Sequence, residues 1–126
     1  LLSAPEGNAP NVLPAPALDR EVVRVLGKTR RYMEDHLADP LTIPALSRMA
    51  MLSATTFKDA FRRLYGLPVH AWLRQRRMER AAELLRDSSL SVLGVAQSVG
   101  YGSASQFTAA FRRQYGMTPA KYRKDV

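Results

Sequence analysis

FKDAFRRLYG at residues 57–66 returns as FTAAFRRQYG at residues 107–116, with seven of ten positions identical at a fixed offset of 50. In a chain of 126 residues an internal repeat of this kind decides the architecture before any other feature is read. Two copies are too few for a solenoid. Two copies of one small helical unit fit instead. Each copy holds two phenylalanines and an alanine in fixed register with an arginine pair, Arg62-Arg63 or Arg112-Arg113. The repeat therefore specifies something to bury and something to present.

Outward from each copy, the local signals place a second, shorter helix in front of it. Thr42 can cap a helix with Ile43, Leu46 and Ala50 inward, and Pro44 is tolerated in its first turn. A break at Met51-Leu52 leads to Ser53, a second cap, and a helix that runs to about Tyr65 before Gly66 stops it. The second unit repeats the plan. Ser91 caps Val92, Val95 and Val99, Gly100-Tyr101-Gly102 turns the chain, and Ser103 caps a helix to Tyr115 that ends at Gly116. These are helix-turn-helix units, over about residues 42–66 and 91–116.

Residues 68–86 form the longest helical run, about 28 Å at 1.5 Å per residue. Ala71, Met78, Ala81, Ala82 and Leu85 lie on one stripe, with Val69, Leu73 and Leu84 roughly opposite, as expected of a helix held between two lobes. Before the first unit, Asp19 can cap a helix carrying Val22, Leu26, Thr29, Met33 and Leu37, which Asp39-Pro40 ends. Thr118-Pro119 starts a last short helix with Tyr122. The expectation is an all-α fold of about seven helices over residues 19–126: two helix-turn-helix subdomains joined by a long spacer helix. Residues 1–18 hold four of the eight prolines and read as a flexible linker. The start, LLSAPEGNAP, has neither an initiating Met nor a basic leader, so it reads as cut from a longer protein with an N-terminal sensor domain.

Charge narrows the function. The net charge is +8 with a pI near 10.4, and it is unevenly spread. Residues 41–126 hold 14 Lys/Arg against 5 Asp/Glu, while residues 1–40 hold 5 against 6. The positive field belongs to the repeat, and nucleic acid is the commonest partner for such a field. Without cysteine there is no disulfide or thiolate metal site, and a reducing compartment is permitted. No apolar run approaches the ~20 residues of a membrane span. His36 and His70 are isolated, and no phosphate-loop, dinucleotide or nucleophile motif occurs. Neither a catalytic residue, a metal ligand nor a cofactor is expected.

The helical period sorts the repeat into faces. With Phe57 toward the core, Ala60, Phe61 and Leu64 fall within about 60° of it at roughly 100° per residue. Thr55, Asp59, Arg62 and Arg63 then face outward, flanked by Thr56 and Lys58. In the second copy Phe107, Ala110, Phe111 and Gln114 face in. Ser105, Ala109, Arg112 and Arg113 face out, flanked by Gln106 and Thr108. This layout suits DNA: small polar side chains of the first turn enter a major groove, and arginines further along reach phosphates. Ser53 and Ser103 are caps, and Ser103 also lies where it can touch a phosphate. Asp59 opposes phosphate unless it accepts from cytosine or pairs with Arg63. On the spacer, Arg74, Arg76, Arg77 and Arg80 divide between DNA-backbone contact and intrahelical pairs with Glu79 or Glu83.

The stretch from Leu90 through VAQSVGY, the Ser103 cap, FTAAFRRQYG and MTPAKYR closely resembles the signature of the AraC/XylS family of bacterial transcription regulators. LSRMAMLSATTFKDAFRRLYG and the following RMERAAELL are similar to the family's first unit. The resemblance spans about residues 30–124 and includes the spacing of the two units. It implies a seven-helix, two-lobe DNA-binding domain with bases read by the second helix of each unit. At matching positions these readers are Thr55, Lys58 and Asp59, then Ala104, Ser105, Gln106, Thr108 and Ala109. It also implies double-stranded promoter DNA as partner, RNA polymerase as a further one, and a cytoplasmic protein at the bacterial nucleoid. Effector sensing would lie on the missing N-terminal domain.

A spacer of about 28 Å allows the two reading helices to enter successive major grooves about 34 Å apart on one face of DNA. The competing reading is a basic helical module that docks polymerase or a sensor domain through the arginine-rich residues 20–31 or the spacer. An RNA or membrane-surface role fits less well, because the aromatics point inward and no spare apolar face remains for lipid.

Overall fold

Local capping chemistry sets most helix boundaries. The computed structural model describes residues 18–126, so the predicted linker lies, apart from Leu18, outside the described residues. Seven helices follow: α1 (Arg20–Asp35), α2 (Ile43–Ala50), α3 (Ala54–Tyr65), α4 (Val69–Asp87), α5 (Val92–Ser98), α6 (Ala104–Tyr115) and α7 (Pro119–Asp125). No strand occurs among the described residues. Asp19, Thr42, Ser53, Ser91, Ser103 and Thr118 each accept a hydrogen bond from the backbone N–H three residues on, at 2.8 to 3.3 Å. Only α4 starts without a side-chain cap, behind Pro68. Gly66 (φ 83°) and Gly116 (φ 77°) end α3 and α6 in the left-handed region, each donating its N–H to an arginine carbonyl of the last turn at 2.8 Å.

The apolar faces assemble two separate cores. The first joins Leu26 and Met33 of α1, Leu46 and Ala50 of α2, Phe57, Ala60 and Phe61 of α3, and Val69 and Leu73 of α4. The second joins Met78, Ala81, Ala82 and Leu85 of α4 with Val95 and Ala96 of α5 and Phe107, Ala110 and Phe111 of α6. The spacer thus changes allegiance along its axis, between Leu73 and Met78. Leu84 accordingly packs with the second core rather than with Val69 and Leu73, and Ala71 is only half-buried. Angular position alone groups Leu84 with Val69 because it treats every level of the helix as facing the same neighbours. Leu37 also departs from expectation: α1 stops at Asp35, and Leu37 is buried from the turn that follows.

The duplication runs further than ten residues. Phe57 and Phe61 lie 5.8 Å apart, as do Phe107 and Phe111. Trp72 meets Phe61 edge-on at 5.7 Å, and Tyr122, fifty positions later, meets Phe111 edge-on at 5.3 Å. Val69 and Pro119 occupy matching buried positions. The first half of α4 therefore plays for lobe one the part that α7 plays for lobe two. Its second half plays the part of α1. One helix serves as the last element of one lobe and the first of the next.

The second lobe closes with an arginine over helix-end carbonyls. Arg123 of α7 donates to the carbonyls of Leu85 (2.9 Å), Leu84 (3.4 Å) and Ser88 (3.3 Å) at the end of α4. Those carbonyls have few intrahelical partners. Arg123→Ala is expected to destabilise the protein by about 1.5–3 kcal/mol, the range for hydrogen bonds to a charged group. A lowered urea midpoint with an unchanged slope is the expected readout; an unchanged midpoint would show that water replaces the guanidinium at no cost.

Candidate nucleic-acid interface

The inward phenylalanines fix the rotation of α3 and α6, and that rotation decides what each helix presents. On α3, Thr55, Lys58, Arg62 and Arg63 are exposed, as is the Ser53 cap. Thr56 is half-buried and its hydroxyl accepts from Ser53 Oγ at 2.9 Å, so its role is local. Asp59 is half-buried as a residue with a side chain 44% exposed, and Lys58 beside it is exposed. The expected Asp59–Arg63 pair is present, with Arg63 Nη1 at 3.7 Å from Asp59 Oδ2. That oxygen is buried and accepts no hydrogen bond.

Thr55, Lys58, Asp59 and Arg62 line one groove together with Ile43, Pro68, Val69 and His70. His70 was unremarkable in the sequence. Its place beside α3 comes from the start of α4 folding back after Gly66, which no periodicity within one helix could have signalled.

On α6, Ser105, Gln106, Ala109, Arg112 and Arg113 are exposed, and Ser103, Ala104 and Thr108 are half-buried. Ala104, Ser105, Thr108, Ala109, Arg112 and Arg113 form one open, shallow and largely apolar surface along the helix. Gln114 is the exception to the predicted face: it is exposed. It lies in an open groove with Arg74, Met78, Ala110 and Arg113, where α6 passes beyond the second core toward the middle of the spacer. The inward stripe of a helix buries a residue only as far as the core beneath it extends.

The spacer arginines divide by partner. Arg76 pairs with Glu79 at 2.7 Å and lies 3.8 Å from Glu34 of α1, and Arg80 pairs with Glu83 at 2.9 Å. Arg77 does something else. Its Nε and Nη2 donate to the carbonyls of Leu37 and Asp39, each at 2.9 Å, tying the spacer to the turn after α1. Burial pushes the Arg77 guanidinium below the usual arginine range, and the group stays charged at any ordinary pH. Gly100 of the second lobe sits against the same joint with φ 91°: a Cβ there would lie 2.8 Å from the Leu37 carbonyl oxygen and 3.2 Å from Arg77 Cζ. Arg77 and Gly100 thus bring the spacer and the second lobe against the turn that follows α1. Contacts 38 and 40 residues apart leave no local trace in the sequence.

By contrast the side chains of Arg62, Arg112 and Arg113 make no ion pair or hydrogen bond among the described residues. Three cations without internal partners thus stand at matched phase on two lobes.

A family model described as "Helix-turn-helix domain" matches residues 46–125. The chain is 34% identical to the DNA-binding domain of AdpA, solved in complex with a target DNA, with a TM-score of 0.77 over 79% of this chain and 90% of that one. The chain belongs to the AraC/XylS family. It is a helix-turn-helix DNA-binding domain of the kind found in transcription regulators, and the docking-module alternative is not favoured. The C-terminal domain of AraT, a response regulator from Geobacillus stearothermophilus, matches at 28% identity and a TM-score of 0.77, over 88% of this chain and 89% of that one. Among curated proteins, ExsA, a helix-turn-helix-type transcriptional regulator of Pseudomonas aeruginosa, is 34% identical over 101 residues, 80% of this chain and 36% of that protein. The regulatory protein PocR of Salmonella typhimurium is 33% identical over 99 residues, 79% of this chain and 33% of that protein. These AraC/XylS relatives are transcription regulators rather than enzymes. The chain spans about a third of the length of the curated relatives it matches. No described helix is long and apolar enough to cross a membrane.

Proposed function

We propose that this domain grips promoter DNA with α3 and α6 in successive major grooves on one face of the duplex. The observation that carries this reading is the matched pair of presenting faces: Arg62 and Arg112-Arg113 stand on equivalent turns of two helices held by one 19-residue spacer. In this reading Arg62, Arg63, Arg112 and Arg113 hold phosphates and Ser53 and Ser103 stand beside the backbone. Thr55, Thr56, Lys58 and Asp59 face one set of base pairs, and Ser105, Gln106 and Thr108 face the other. Arg77 and Gly100 act as positioning residues that set the separation and angle of the two helices.

The same reading makes RNA polymerase a further partner and puts the protein at the bacterial nucleoid. The additional length of the relatives is where an effector would bind, and the proline-rich residues 1–18 would connect that part to residues 19–126. What supports these extensions is the nature of the relatives as transcription regulators and the share of their length that the chain covers.

The test is a salt titration. Replacing Arg112 and Arg113 together by alanine is expected to weaken binding to a selected duplex by on the order of 10–100-fold. It should also lower the slope of log K against log salt by about 2, near 0.9 for each phosphate released. Both residues are exposed and unpaired, so folding should be unaffected. An unchanged slope would show that α6 does not reach the DNA backbone and would remove the two-groove reading.

A further inference from the structure

The two reading helices differ in chemistry at the middle of their presenting faces. At the positions where α3 presents Lys58 and Asp59, α6 presents Thr108 and Ala109. We propose that the operator is chemically asymmetric. The half-site under α6 is recognised through thymine methyl groups, and the half-site under α3 through hydrogen bonds to a G·C pair. This rests on the DNA reading above and specifies the base chemistry that each lobe selects.

On α6 the argument starts from what is missing. Ala104 and Ala109 have no polar side-chain atom, and the Ser103 hydroxyl accepts from the Gln106 N–H at 3.2 Å. The surface between Ala104 and Ala109 is open and largely apolar up to Arg112 and Arg113. In the major groove the one apolar feature of a base edge is the C5 methyl of thymine. A guanine or cytosine edge pressed between Ala104 and Ala109 would lose hydrogen bonds to water and find only the Ser105 and Thr108 hydroxyls in return, which selects against it. A thymine methyl loses nothing there and gains burial.

On α3 the situation is reversed. Lys58 is exposed and makes no ion pair among the described residues. Beside it the Asp59 side chain is 44% exposed; its Oδ2 is buried toward Arg63 at 3.7 Å, so the carboxylate meets the groove through its other oxygen. A donor and an acceptor on adjacent residues match the two edges of a G·C pair, lysine to guanine O6 or N7 and carboxylate to cytosine N4. They share a groove with Thr55 and Arg62 that opens to solvent.

Deoxyuridine, which is thymidine without its methyl, tests this directly. The 126-residue chain is used to select duplexes from a random pool, and thymines of one half-site at a time are then replaced by deoxyuridine. Lys58→Ala identifies the α3 half-site as the one whose base preference relaxes. The expected result is a loss of about fourfold for each contacted methyl in the other half-site, and no change when the α3 half-site is substituted. Ala109→Asn should shift preference in the α6 half-site toward adenine, read by its amide, and make binding there less sensitive to the methyl. The proposal is overturned if deoxyuridine is neutral in both half-sites, or if its larger effect falls in the half-site that Lys58→Ala relaxes. If no sequence is enriched over random DNA, the two-groove reading itself fails, and the asymmetry with it.

Discussion

Gly100→Ala is expected to cost about 2–4 kcal/mol, the sum of left-handed strain on a residue with a Cβ and of overpacking against fixed backbone. The position has φ 91°, and the new methyl would lie 2.8 Å from the Leu37 carbonyl oxygen and 3.2 Å from the Arg77 guanidinium carbon. Neither neighbour can retreat cheaply. Leu37 is backbone, and Arg77 is held by its two hydrogen bonds to Leu37 and Asp39. Two other glycines serve as controls. Gly66 has φ 83° with nothing within 4 Å of a Cβ, so Gly66→Ala carries the strain without the clash, about 1–2 kcal/mol. Gly102 has neither, and Gly102→Ala should be neutral or slightly stabilising through the unfolded chain. Urea midpoints should fall in the order Gly102→Ala, Gly66→Ala, Gly100→Ala. The Gly100 variant has a second signature, because relief of the clash must move α5 and α6 relative to α1 and α3. Affinity for the complete bipartite site should drop while affinity for an isolated half-site is retained. If Gly100→Ala and Gly66→Ala lose equal stability and neither changes DNA affinity, the joint is not what sets the lobe angle.

Phe111→Ala is the second large effect, expected at about 3–5 kcal/mol for loss of a fully buried phenylalanine. Phe111 is 0% exposed and its ring touches Phe107 at 5.8 Å, Tyr115 at 4.6 Å and Tyr122 at 5.3 Å. A cavity among three aromatic rings collapses poorly, which puts the cost toward the upper end. That is a large share of the ~5–15 kcal/mol by which a domain is usually stable. The loss should be local, because the two cores share only α4. Amide exchange is expected to accelerate through α5, α6 and α7 while Leu26, Leu46 and Phe57 keep most of their protection. Phe61→Ala should give the mirror image. Equal loss of protection in both lobes would mean that α4 couples them into one cooperative unit.

Much of this fold could be read locally because the signals that set it are local. A cap needs one hydroxyl or carboxylate three residues before an N–H, and Asp19, Thr42, Ser53, Ser91, Ser103 and Thr118 all satisfy that rule within a single turn. Gly66 and Gly116 stop α3 and α6 for an equally local reason. The inward phenylalanines follow from periodicity. What escaped the sequence depends on where a neighbour ends. Gln114 shares the inward phase of Phe107, yet the core beneath it has run out. Leu84 shares a stripe with Val69, yet the helix has passed from one lobe to the other between them. Asp59 has an outward phase and a side chain 44% exposed, yet one of its carboxylate oxygens is buried. Arg77 and Arg123 are set by contacts 35 to 40 residues away, and Gly100 by the distant Leu37 and Arg77. The presenting residues were legible as a set, because they are what remains after the core is assigned. Their division into hydrogen-bonding and apolar faces depends on the groove beside α3 and on the surface along α6, which single-helix periodicity does not give.

The change of allegiance within α4 turns the spacer into a ruler. Between Leu73, the last residue it gives to one core, and Met78, the first it gives to the other, the helix presents four residues. Inserting one residue there would turn the second lobe by about 100° around the axis, and α6 would face away from any duplex held by α3. Seven inserted residues would restore the phase to within about 20° and lengthen the rod by about 10 Å, near the rise of three base pairs. Substitutions along this stretch can be absorbed, but its length cannot drift by single steps. The distance between half-sites that such a protein tolerates is therefore counted out in residues, in whole turns of one helix.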